Sequence, residues 1–143
     1  MITRGFRRAV EQALGYSGWV DWTPTVTQGV GVAVTVTEAK YCVVGKVCHL
    51  YAKLVLASAG TGGQRVVIGG VPVAAQTAYT NSIVGQAHVR DAGTTRYAGQ
   101  LYALTASTFC IFVDGNADQL GATPAYTIAN TDELWITATY RVA

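Results

Sequence analysis

From Gly18 onward, apolar and polar residues alternate in short runs. In "CHLYAKLVL", Cys48, Leu50, Ala52, Leu54 and Leu56 fall on one side, while His49, Tyr51 and Lys53, with Val47 just before them, fall on the other. A period of two places one row against a core and the other toward solvent, the signature of a half-buried β-strand. "VAVTVTEAKYCVV", "SIVGQAHVRD", "RYAGQLYALT", "TFCIFVDG" and "ELWITATYRV" are also rich in β-branched or aromatic residues. In the last of these, Leu134, Ile136 and Ala138 share a side opposite Trp135. Between the runs lie "SAGTGGQ", "DAGTT", "DGNADQLGATP" and "ANTD", all turn chemistry. Short strands joined by such turns, with no βαβ spacing, predict an all-β antiparallel sandwich or barrel. The expectation taken forward is a jelly-roll-like β-sandwich over residues 19–143.

Residues 1–18 follow a different period. Phe6, Val10, Ala13 and Leu14 recur at helical spacing. Thr3 is placed to cap the start and Gly15 to stop the end. A helix of about 12 residues is marginal alone. Its apolar stripe therefore needs a surface, either its own domain or a partner. The expected organisation is an N-terminal helical anchor segment, 1–18, followed by one β domain.

Charge sharpens that division. Arg4, Arg7 and Arg8 against Glu11 carry the whole net charge of +2, so the other residues balance to zero. A basic patch confined to one end is too small for a nucleic-acid footprint. The segment also lacks the apolar stretch of a signal peptide, and the chain has no run long enough to cross a membrane as a helix. A protein made and kept in solution, with neither nucleic acid nor membrane as partner, is expected. Only 13% of the 143 residues are charged, about half the usual fraction. Part of the surface is therefore expected to be covered by sister subunits, as a trimer or another small symmetric oligomer.

The stretch "YCVVGKVCHLYAKLVL" gathers two of the three cysteines and one of the two histidines. A two-residue turn at Gly45-Lys46 would set Cys42 opposite His49 and send Cys48 inward. A three-residue turn would set Cys42 opposite Cys48 and admit a disulfide. In neither register do four zinc ligands converge. A cysteine nucleophile would need an orienting group and an oxyanion hole, and no motif supplies them. No serine-hydrolase or phosphate-loop motif is present either. The cysteines read as small buried apolar residues, with no cofactor and no catalytic residue expected.

The aromatics are the remaining candidates. Trp19, Trp22 and Trp135 are candidates for stacking on a glycan or for a subunit interface. "GWVDWTPTVTQ", "KYCVVGKVCHLYAKLVL", "GGVPVAA" and "NTDELWITATYRVA" together resemble a β-sandwich domain of tailed-bacteriophage virion proteins. In that group a "W-x-P-x" opening strand leads to a "Y-x-x-V-G-K" hairpin, a mid-chain proline segment and a closing "G-D-x-L … T-Y" strand. Trp22, Pro24, Tyr41, Val44, Gly45, Lys46, Pro72, Asp132, Leu134 and Tyr140 match, and position 131 departs, with Thr where Gly is common.

The resemblance implies a non-enzymatic virion component, of decoration, head-fibre or minor-tail type and commonly trimeric. Two roles compete within it. One is a capsid protein attached through its N-terminal segment, with Arg4, Phe6, Arg7, Arg8, Val10 and Leu14 as the anchor. The other is a tail knob that recognises host-surface glycan. The absence of shaft-like repeats and the compact basic segment favour capsid attachment as the expectation.

Overall fold

The computed structural model describes residues 4–6, 9, 18–114 and 118–143. Ten strands follow in order: β1 Val20–Asp21, β2 Thr25–Gln28, β3 Val30–Val32, β4 Val34–Val44, β5 Val47–Leu56, β6 Val67–Gly69, β7 Ile83–Arg90, β8 Arg96–Thr105, β9 Thr108–Val113 and β10 Glu133–Arg141. One 3-10 turn, Thr77–Tyr79, precedes β7. The all-β antiparallel architecture read from the alternation is present. Each of the six long runs supplies a long strand, although Val32 at the head of one of them belongs to β3, and the described residues of the turn-rich stretches lie between strands.

All ten strands belong to one hydrogen-bonded ladder, in the order β1-β4-β5-β10-β7-β8-β9-β6-β2-β3, and every pairing of named strands is antiparallel. That ladder is curled. β3 lies at one end of it and β4 next to the other end, yet Ala33 alone separates them in sequence. Two residues of chain span about 7 Å at most, so the ends of the sheet must meet at this corner. Both backbone groups of Ala33 are satisfied there: its N–H donates to Ser58 Oγ at 2.8 Å, and its carbonyl accepts from Ala57 N at 2.7 Å.

Curling brings the inward rows of distant strands into one core. Phe109 of β9 meets Tyr140 of β10 edge-on, with ring centroids 6.0 Å apart, although β7 and β8 separate their strands in the ladder. The inward residues of β5 named above are all buried. They join Val26, Ile68, Leu101, Phe109, Ile136 and others in a single apolar cluster.

Two buried polar side chains tie the connections down. Gln28 donates through Nε2 to the carbonyls of Gln64 and Tyr126, at 2.9 and 2.6 Å, and accepts from Ile128 N at 2.8 Å. Asp132 accepts from Ala92 N, Ala129 N and the Tyr126 hydroxyl, at 2.8, 2.9 and 2.6 Å. A buried polar group is tolerated when its bonds are made inside, and here each one clamps separate segments together.

Candidate functional site

The hairpin that raised the cysteine question has the two-residue turn. Val44 pairs with Val47, Cys42 with His49, and Val43 with Cys48. Gly45 takes a φ of 60°, which a side chain disfavours. Cys42 and Cys48 therefore lie on opposite sides of the sheet, and all three cysteines are free and buried. Burial raises the Cys42 and Cys48 thiols above their ordinary value and pushes Cys110 up to about 11. His49 directs Nδ1 at Thr139 Oγ1, 3.1 Å away. Among the described residues no three His, Cys, Asp or Glu side chains cluster as a metal site would require.

The three tryptophans part company. Trp22 is 7% exposed and donates its indole N–H to the Tyr51 carbonyl at 3.2 Å, so it closes the core and offers no stacking surface. Trp19 is exposed beside β1, tilted against Tyr51 at 5.6 Å. Tyr51 is held in turn by Glu38, to which its hydroxyl donates at 2.9 Å. Trp135 stands half-buried on the outer face of β10, with the Lys53 ammonium 5.1 Å from its ring centroid and His88 tilted against it at 5.0 Å.

Around Trp135 the outer face of β10, β7 and β8 is hollowed. Register sets two rows of side chains across these strands. Trp135, His88 and Ala98 form the first, and Thr137, Gln86, Gln100 and Phe112 form the second. All of these but Phe112 line a cleft of about 510 Å³ that Asp114 borders at the end of β9. A second cleft of about 380 Å³ is lined by Asn81, Ile83, Tyr102 and Phe112, and it shares Gln100 and Asp114 with the first. The two form one groove along β8. Tyr102 and Phe112 pack edge-on at 4.9 Å, and the Tyr102 hydroxyl donates to Asn81 Oδ1 at 2.8 Å.

Small residues lie beneath the groove. A Cβ at Gly85 would run into the Thr137 carbonyl, and one at Gly99 into the Phe112 carbonyl. Both positions thus permit a close backbone approach under the groove. Ala98 adds only a methyl beside His88. A register shift near Val84 bends β7 beside the same place.

Of the anchor residues read from sequence, Arg4 and Phe6 are described and helical, as is Ala9, and Phe6 is exposed. Arg7, Arg8, Val10 and Leu14 lie outside the described residues. Sequence reasoning reached Trp135 but not its neighbours. Gln86 sits on β7 and Gln100 and Tyr102 on β8, and only their outward phase in the alternation marks them.

The residues that carried the family resemblance hold the fold rather than line the groove. Gly45 makes the hairpin turn, Trp22 and Asp132 make the bonds described above, and the Tyr140 hydroxyl donates to the Val73 carbonyl at 2.7 Å. Thr131, where Gly is common in the resembled group, has a φ of 76°, the left-handed conformation that glycine accepts most readily. Comparison of the chain with family models, with curated proteins and with solved structures finds no match.

Proposed function

We propose that this chain is a non-enzymatic structural protein of a tailed-bacteriophage virion. In this reading it is a capsid decoration or head-fibre protein, with the β domain displayed and the N-terminal segment attached to the shell. The observation that carries the reading is where the resembling motifs sit. Trp22, Gly45, Asp132 and Tyr140 each occupy a position whose chemistry this fold needs, which supports reading the resembling pattern as one of scaffold residues. The low charged fraction supports a trimer or another small symmetric oligomer. Exposed apolar side chains on the short strands, Val20 on β1 and Val30 on β3, are consistent with covered edges.

Particles of a phage encoding the chain test this directly. Quantitative mass spectrometry of purified virions should find the protein in many copies, and labelled antibody should decorate the head. Absence from washed particles would sink the proposal. Light scattering of the isolated protein should give a small oligomer, and a strict monomer both in solution and on particles would remove that part.

The tail-knob role is kept as a second reading because of one observation, the groove beside Trp135. A handful of copies per particle, with antibody at the tail tip, would favour it over decoration.

A further inference from the structure

We propose that the groove along β8 is a binding site for a linear, neutral oligosaccharide. The proposal adds a ligand to the virion reading and rests on that reading only for its biological setting.

The chemistry of the groove selects the ligand class. Aromatic walls stand at both ends, Trp135 with His88 at one and Tyr102 with Phe112 at the other. Between them lie the amides of Gln86 and Gln100, the Thr137 hydroxyl and the Asp114 carboxylate. Sugars present apolar C–H faces and rows of neighbouring hydroxyls, so aromatics that pack against the faces and short polar groups that bond the hydroxyls answer both features. Each of the two clefts falls in the range of about 300–1,000 Å³ typical of small-ligand sites. The Cα path from Ala98 to Tyr102 covers about 13 Å at roughly 3.3 Å per residue. A site of that length, with an aromatic wall at each end, suits a chain of sugars better than one ring.

Other occupants fit poorly. A nucleic-acid strand needs cations along its phosphates, whereas the described lining residues include no Lys or Arg, and the nearby Lys53 ammonium lies against the Trp135 ring instead. A peptide added as a strand needs a free sheet edge, but β7 and β8 are paired on both sides. Without a lining cation the groove offers acidic glycans no counter-charge, which points to neutral ones.

The test uses the full chain and a panel of neutral linear tetrasaccharides of glucose, galactose, mannose and N-acetylglucosamine. Matched monosaccharides, one sialylated glycan and one sulfated glycan complete it. Calorimetry and ligand-observed NMR read binding. At least one neutral tetrasaccharide should bind, about tenfold or more tighter than its monosaccharide. Trp135→Ala and Gln100→Ala should each weaken it by about tenfold, the scale of an anchor contact. Tyr102→Ala should weaken the tetrasaccharide and leave the monosaccharide unchanged. Gln100 is exposed, so its variant keeps the test open should Trp135→Ala fail to fold. No binding across the panel, binding of the acidic glycans alone, or neutral binding indifferent to both Trp135 and Gln100 would overturn the proposal. Particle incorporation of Gln100→Ala, measured in parallel, separates the two readings. Normal incorporation with lost sugar binding supports the groove, whereas lost incorporation with no sugar binding by the wild type makes this face a protein interface and ends the proposal.

Discussion

Thr131 shows how a single residue records a compromise. Its φ of 76° is held by two flanking constraints: its own N–H donates to the Leu56 carbonyl at 2.8 Å, and the next residue is the buried clamp Asp132. A β-branched residue in this region is a true outlier, and left-handed backbone costs about 1–2 kcal/mol with a Cβ. Glycine removes that cost but leaves a freer unfolded chain. Thr131→Gly should therefore stabilise the protein by about 0.5–1 kcal/mol, the left-handed penalty less the entropy of glycine, as read by the urea midpoint.

The buried hydroxyls and thiols make a second prediction at this scale. Burial, then the hydrogen bond to Asp132, raises the Tyr126 hydroxyl well above its ordinary value, and burial does the same for Tyr140. The folded state thus keeps protons that the unfolded chain releases at the ordinary cysteine and tyrosine values, 9.0 and 10.0. Stability present below those values is lost as pH rises past them, because the folded state then binds more protons than the unfolded one. Urea midpoints should hold near neutrality and fall from about pH 9 upward. Tyr140→Phe should soften the fall above about pH 10, while losing about 1 kcal/mol at neutral pH with its bond to Val73.

At the scale of the element, the β4–β5 hairpin is the clearest case of sequence dictating shape. The alternation in β5 is unbroken over its whole length, and the partner strand must match it or turn apolar residues outward. The turn at Gly45-Lys46 delivers that match, and it decides that Cys42 and Cys48 cannot pair. An added Cβ at Gly45 meets nothing within 4 Å, so any penalty there is conformational alone. Gly45→Ala should cost about 1–2 kcal/mol by denaturant unfolding and leave the register intact, as cross-strand amide NMR contacts would show. β3 and β4 make the opposite case. "VAVTVTEAKYCVV" alternates straight through Ala33, yet the chain turns there from one end of the sheet to the other. Side-chain period is blind to such a corner, because the bend is in the backbone and its bonds come from Ala57 and Ser58.

For the whole molecule, the described core begins at Trp22 and runs to Tyr140. A protein starting at Gly18 should thus fold, with far-UV circular dichroism of a β protein and a melting temperature close to that of the full chain. It should no longer join particles if residues 1–17 are the anchor. In the full chain, Arg7→Glu with Arg8→Glu should weaken attachment, more so at low salt, where surface charge is least screened. Truncated protein that still saturates particles would place attachment on the β domain.

The all-β class, the six long strands and the inward rows of β5 and β10 were legible because alternation is a local property: one buried face forces one period. The four short strands, β1, β2, β3 and β6, were not singled out, since two to four residues are too few to display a period. The order of strands and the meeting of the sheet ends at Ala33 depend on long-range pairing, which no local window contains. The groove belongs to the same category. Trp135 was marked by its outward phase, but Gln86, Gln100, Tyr102 and Asp114 become neighbours only when register aligns β10, β7, β8 and β9, and Gly85 and Gly99 permit the close backbone approach beneath them. Composition and period determined that a β domain would form with one face outward; the curled ladder decided which outward residues would stand together.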